Sequence, residues 1–134
     1  MMLGVVCLSL MTLGAAEPEP ATTKPREIAL SGSWSAPEDA KFSPIVIRTK
    51  AQLEKAIDNK AVRAEILKAV NWDQDYLVIF AWSGSGGDQV RFEVTKSDKG
   101  SEVVFRRRLG LTDDLREHRK VFALPKMMKH RLME

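Results

Sequence analysis

The sequence predicts an α+β domain: a mainly antiparallel sheet, made of a four-stranded C-terminal meander plus an N-terminal strand, with two short helices packed on one face. Three observations lead there. Two successive stretches of helical apolar spacing lie between residues 50 and 70. An unbroken apolar run, Tyr76–Trp82, reads as a central strand covered on both sides. Beyond it, each strand-like run is joined to the next by a short link without a helix, which favours antiparallel neighbours over parallel crossovers.

Pro44-Ile45-Val46-Ile47-Arg48 is the N-terminal strand, short and β-branched, and Glu27–Leu30 is a shorter candidate before it. Thr49-Lys50-Ala51-Gln52 has capping-box spacing, and Leu53, Ala56 and Ile57 share one face of the helix behind it. Asp58-Asn59 interrupts. Val62, Ile66, Leu67 and Val70 then stripe a second helix, for which Asn71 is a suitable stop. After Tyr76–Trp82 comes the Gly/Ser segment Ser83–Asp88. Val90, Phe92 and Val94 alternate with Gln89, Arg91 and Glu93, as in a strand buried on one face. Ser97-Asp98-Lys99-Gly100 is a turn with glycine where positive φ is needed. Val103-Val104-Phe105 is the next strand, 109–117 a largely polar connection, and Val121–Leu124 the last strand, closed by Pro125.

A chain of 134 residues has room for one domain, and 44% apolar with 29% charged residues is the balance of a folded chain rather than a disordered one. Residues 2–16 carry no charge and end in small residues, after which Glu17-Pro18-Glu19-Pro20 begins abruptly. This reads as a signal peptide over 1–16, with Gly14 and Ala16 at the small-residue positions, too short to span a bilayer. Residues 17–25, with three prolines, read as a flexible spacer, and 26–134 as the single domain. The one cysteine, Cys7, lies inside the signal segment, so the mature chain has no disulfide, thiolate metal site or cysteine nucleophile. Export without disulfides points to a periplasmic or extracellular location in bacteria. No stable membrane span is expected after signal removal.

Charge is uneven. Residues 17–100 hold 12 Lys+Arg against 13 Asp+Glu, net −1, while 101–134 hold 9 against 5, net +4. That is a basic C-terminal quarter, too dilute for a nucleic-acid binder. In the run Arg106-Arg107-Arg108 a strand would place Arg106 and Arg108 on one face and Arg107 on the other.

No residue pattern here specifies a cofactor or a metal. His118 and His130 are neither i,i+3 nor i,i+4 from another histidine, and the acidic residues Asp113, Asp114 and Glu117 lack calcium-loop spacing. Ser83-Gly84-Ser85-Gly86-Gly87-Asp88 holds the letters of a serine-protease signature in the wrong order. It lacks the glycine two residues before Ser85 that a hydrolase elbow needs, and the lysine of a phosphate loop. Its three glycines predict instead a mobile loop that folding can dispense with.

From Trp72-Asp73-Gln74-Asp75-Tyr76 through the apolar strand, the Gly-Gly pair and two alternating strands to Leu124-Pro125-Lys126, residues 72–126 resemble the C-terminal domain of the bacterial protease-complex subunit PrcB and similar small exported domains of unknown function. In that family an aromatic commonly follows the Gly-Gly pair, where this chain has Asp88. The resemblance implies a noncatalytic accessory or binding role and supplies no catalytic residues.

The expectation is therefore an exported, noncatalytic protein-binding domain of the bacterial envelope whose partner is an envelope or secreted protein. Its candidate surface is Ser83, Gly84, Ser85, Gly86 and Gly87 with Arg108, Arg116 and His118. The alternative is a small serine-type hydrolase using Ser85 and His118. If the signal reading holds, N-terminal sequencing of exported material gives Glu17 or a close neighbour as the first residue; retention of Met1 would sink it.

Overall fold

A computed structural model describes residues 24–35 and 42–133. The signal segment and the spacer up to Thr23 lie outside the described residues. Seven strands and two helices follow one another as β1 (Arg26–Glu27), β2 (Ile45–Ile47), α1 (Lys50–Ala56), α2 (Lys60–Ala69), β3 (Asp75–Ser85), β4 (Gln89–Ser97), β5 (Gly100–Arg108), β6 (Leu115–Pro125) and β7 (Lys129–Met133).

The local signals act as read. The Thr49 hydroxyl accepts the Gln52 N–H at 3.2 Å, and the Gln52 side chain accepts the Arg48 N–H at 2.7 Å, so the start of α1 is capped from both directions. Asn59 caps α2 by accepting from Ala61 and Val62. That helix stops at Ala69, with Val70 already extended rather than a left-handed Asn71 ending it; Asn71 instead accepts the Asp73 N–H in the next turn. Gly100, at φ 109°, is the one positive-φ residue among those described, where the β4–β5 turn needs it.

The domain has three layers: helices, a four-stranded sheet in the order β1-β6-β3-β2, and a three-stranded sheet in the order β4-β5-β7. The α+β class, the mostly antiparallel pairing and the helices on one sheet face are as the sequence predicts. The pairing order of a single meander is not. From β3 to β7 the chain reverses at every turn, as a meander does, yet β3 pairs with β6 and the β4–β5 hairpin belongs to the second sheet. Two reversals separate β5 from β7, so these neighbours run parallel. The strand β7 has no counterpart in the sequence reading, and β6 begins at Leu115, inside the stretch taken as connection.

Burial explains the split. Leu77 and Ile79 of β3, with Val121 and Ala123 of β6, meet Leu53, Ile57, Val62 and Ile66 of the helical layer. Tyr76, Val78, Phe80 and Trp82, with Phe122 and Leu124, meet Val90, Val103 and Phe105 of the second sheet. A single sheet would leave the second set in water, at about 1.5–3 kcal/mol per large side chain. Phe80 is at the centre, 5.0 Å from Phe105, 5.9 Å from Phe122 and 5.3 Å from Phe42, ring centre to ring centre. Alternation in β4 fades towards its end: Val90 is buried, Phe92 half-buried and Val94 exposed. No helix among the described residues is long and apolar enough to cross a membrane.

Phe80→Ala should cost about 3–5 kcal/mol through lost burial and the cavity left in the aromatic cluster. Arg91→Ala, exposed and bonded only to the neighbouring Gln89 side chain, should stay within about 0.5 kcal/mol. Denaturant melts with similar losses for both would show the strand faces to be misassigned.

Candidate functional site

The eight residues singled out in the sequence gather at one end of the domain, where the chain passes from the first sheet to the second and back. Ser83, Gly84 and Ser85 are the last residues of β3, in register with Glu117, Arg116 and Leu115 of β6. His118 lies opposite Trp82, one step deeper. Gly86 and Gly87 make the corner into β4, and Arg108, exposed, ends β5 opposite Gln89.

What binds this end together is a residue the sequence reading passed over. Asp88 is buried, and its carboxylate accepts the Gly110 N–H at 2.7 Å, Arg107 Nη2 at 3.1 Å and the Trp82 indole N–H at 3.2 Å. It stands just after the outgoing crossing, β3 to β4, and Gly110 stands on the returning one, β5 to β6. One carboxylate therefore joins both crossings to the core tryptophan. The Gly110 N–H is the main influence holding Asp88 below the usual carboxylate range, with Arg107 and Trp82 adding to it against the opposing effect of burial. The arginine triplet is divided as strand geometry requires: Arg106 and Arg108 are exposed, while Arg107 turns inward to Asp88 and lies 4.6 Å over the Phe42 ring.

The segment Ser83–Asp88 is thus structural, not a dispensable mobile loop. Half of it belongs to β3, and Asp88 crowds Gly84 so closely that any side chain there would collide with the carboxylate. The glycines serve a sheet-to-sheet corner rather than flexibility.

The returning connection is pinned a second time. Ser85 Oγ lies 2.6 Å from Thr112 Oγ1 and accepts the Thr112 N–H at 3.2 Å. Asp114 accepts the Gly86 N–H at 3.2 Å and the Arg116 Nε–H at 2.6 Å. The Thr112 hydroxyl, then Gly86 and Arg116, hold the Asp114 carboxyl down to about 2. On this tethered connection and at the first residue of β6 three large apolar side chains face solvent: Leu109 is 66% exposed, Leu111 100% and Leu115 80%. A reading of 109–117 as a largely polar connection gave them no role. Three leucines within seven residues of no helical or strand period were the available signal.

His118 stacks on Trp82, ring centres 4.8 Å apart and planes 17° from parallel. Its Nε2 is 2.6 Å from the Ser85 carbonyl oxygen, which can only accept, so Nε2 carries the proton and donates. The bond runs to the serine main chain, and the hydroxyl is engaged by Thr112. In this arrangement His118 is not placed to take the Ser85 hydroxyl proton. The other histidine, His130, is at the far end, 2.9 Å from the Tyr76 hydroxyl.

Fold and site together define a three-layer α+β domain that presents an apolar, tethered loop beside exposed Arg108 and Arg116. Comparison with protein-family models, curated proteins and solved structures finds no match for this chain.

Asp88→Ala strands an indole N–H, a guanidinium and a main-chain N–H, and should cost on the order of 3 kcal/mol at neutral pH. The pH dependence has a definite sign. A carboxyl depressed on folding stabilises above its unfolded value, near 3.9, and that contribution fades as pH falls through the folded value. The gap in melting temperature between wild type and Asp88→Asn should therefore be full above about pH 5 and narrow below about pH 4. A gap that is constant down to pH 2 would mean that the ionised carboxylate does not hold the corner.

Proposed function

We propose that this chain is an exported, noncatalytic accessory domain that binds a protein partner of the bacterial envelope through the loop end of its two sheets. Three leucines held in water on a twice-tethered connection and the first residue of β6 carry the reading: Leu109, Leu111 and Leu115. Exposed apolar groups clustered on ordered backbone are the usual mark of a contact surface, because docking buries them while little loop entropy remains to be lost. Exposed Arg108 flanks them and favours a partner with an acidic group at the rim, while Arg116 is held by Asp114. Export rests on residues 2–16, and the accessory role agrees with the resemblance to PrcB C-terminal domains.

Leu111→Asp and Leu115→Asp alter fully or largely exposed side chains, so each should leave stability within about 0.5 kcal/mol. Both should abolish recovery of the partner when the tagged protein is used for affinity capture from its native envelope. Undiminished capture by both variants would refute this surface. Ester or peptide turnover that disappears in Ser85→Ala would refute the noncatalytic role.

A further inference from the structure

At the opposite end of the molecule the gap between the two sheets stays open. Phe92 of β4 still packs on Phe122 of the first sheet, but Val94 beyond it stays exposed, and the β6–β7 turn brings Met127 and Met128 to the other side. The result is a cleft of about 550 Å³, within the range of sites that enclose small ligands. Its lining is chiefly apolar, yet Val94 is 41% exposed and Met127 88%. The turn that forms the far wall is preformed: the Met128 N–H donates to the Pro125 carbonyl at 3.0 Å, and the Tyr76 hydroxyl donates to the Met128 carbonyl at 2.8 Å.

The charged side chains described in the cleft lining are both lysines. Lys24 and Lys96 line its mouth, and Lys126 and Lys129 bracket the two methionines in sequence. All four are exposed, and among the described residues none has a carboxylate partner. Among the described residues, no acidic side chain lines the cleft. Lys120–Glu27 is the one lysine ion pair among the described residues, so what marks this end is the gathering of four lysines beside an apolar cleft. An apolar slot whose mouth carries unpaired ammonium groups complements a molecule with an apolar chain and an anionic head. The methionines suit that chain, since an unbranched, polarisable side chain adapts to a flexible ligand.

We infer that this cleft is a binding site for a single-chain anionic amphiphile of the fatty-acid class. The alkyl chain lies between Phe92, Val94 and the two methionines, and the carboxylate faces Lys24 and Lys96. This site is separate from the leucine-bearing end and does not depend on the role proposed for it.

The test is calorimetric titration of the purified protein with octanoate, decanoate and dodecanoate, each kept below its micelle concentration. Saturable one-to-one binding is expected, tightening roughly fourfold per added methylene as the buried chain lengthens. Dodecyltrimethylammonium should bind about tenfold more weakly than dodecanoate, and the preference should shrink as salt rises. Met127→Glu and Val94→Asp, both at exposed positions, should each weaken dodecanoate by about tenfold or more while melting within a few degrees of wild type. Replacing Lys24 and Lys96 by serine should remove the preference for the anion and leave dodecanol binding in place. Absence of saturable binding, or equal affinity for the cationic amphiphile, overturns the inference. So does binding confined to phosphatidylglycerol vesicles, which would make this end a membrane-contact surface. Dimerisation that Val94→Asp abolishes, without dodecanoate binding, would assign the cleft to a second copy of the chain and overturn it as well.

Discussion

One strand sets the terms for the rest of the molecule. From Tyr76 to Trp82, β3 is buried on both faces, so it must be covered from both sides. Each large side chain left exposed would forfeit about 1.5–3 kcal/mol, and neither covering layer can be omitted from a domain whose whole stability is about 5–15 kcal/mol. The helical stripe of Leu53, Ile57, Val62 and Ile66 covers one face. The other is covered by a second sheet, of which the β4–β5 hairpin follows β3 directly and β7 follows β6. The polypeptide must therefore leave the first sheet after Ser85, build the β4–β5 hairpin, and return as β6.

That route produces two crossings at the same end of the sandwich, and Asp88 with its donors joins them. Burying a carboxylate is costly unless it is matched, and here a main-chain N–H, a guanidinium and an indole N–H match it. The interaction that closes the corner also positions what is displayed there. With Gly110 held by Asp88 and Thr112 by Ser85, residues 109–115 cannot turn their leucines into the core, which is already filled by Trp82, Phe42 and Phe80. The same architecture leaves the far end open, because the inward face of β4 runs past the end of the first sheet.

The neighbourhood of the loop-end site was legible in the sequence; the roles within it were not. Gly84, Gly86 and Gly87 pointed to unusual backbone, but glycine-rich composition alone does not distinguish a loose hairpin from a crowded corner. Ser85 and His118 do come together, but through the serine carbonyl, since the register that sets His118 opposite Trp82 aims its ring at main chain. Asp88 read as a loop carboxylate because its three donors come from positions 6, 19 and 22 residues away, which local spacing cannot reveal.

The sequence by itself determined both helices and most of the strands, though not β7 or the first half of β6. It set the cap at Thr49, the turn at Gly100, the burial of Phe80, and the division of Arg107 from Arg106 and Arg108, because side-chain period and local hydrogen bonding decide these within a few residues. Tertiary structure decided which strands pair. Main-chain hydrogen bonds are the same whatever the side chain, so alternation says which face of β4 is buried but not whether β3 lies beside it or across from it. Once β3 took β6 as its neighbour, the corner at Asp88, the solvent-facing leucines and the open cleft beside Met127 followed from how long each strand is and where the chain must cross.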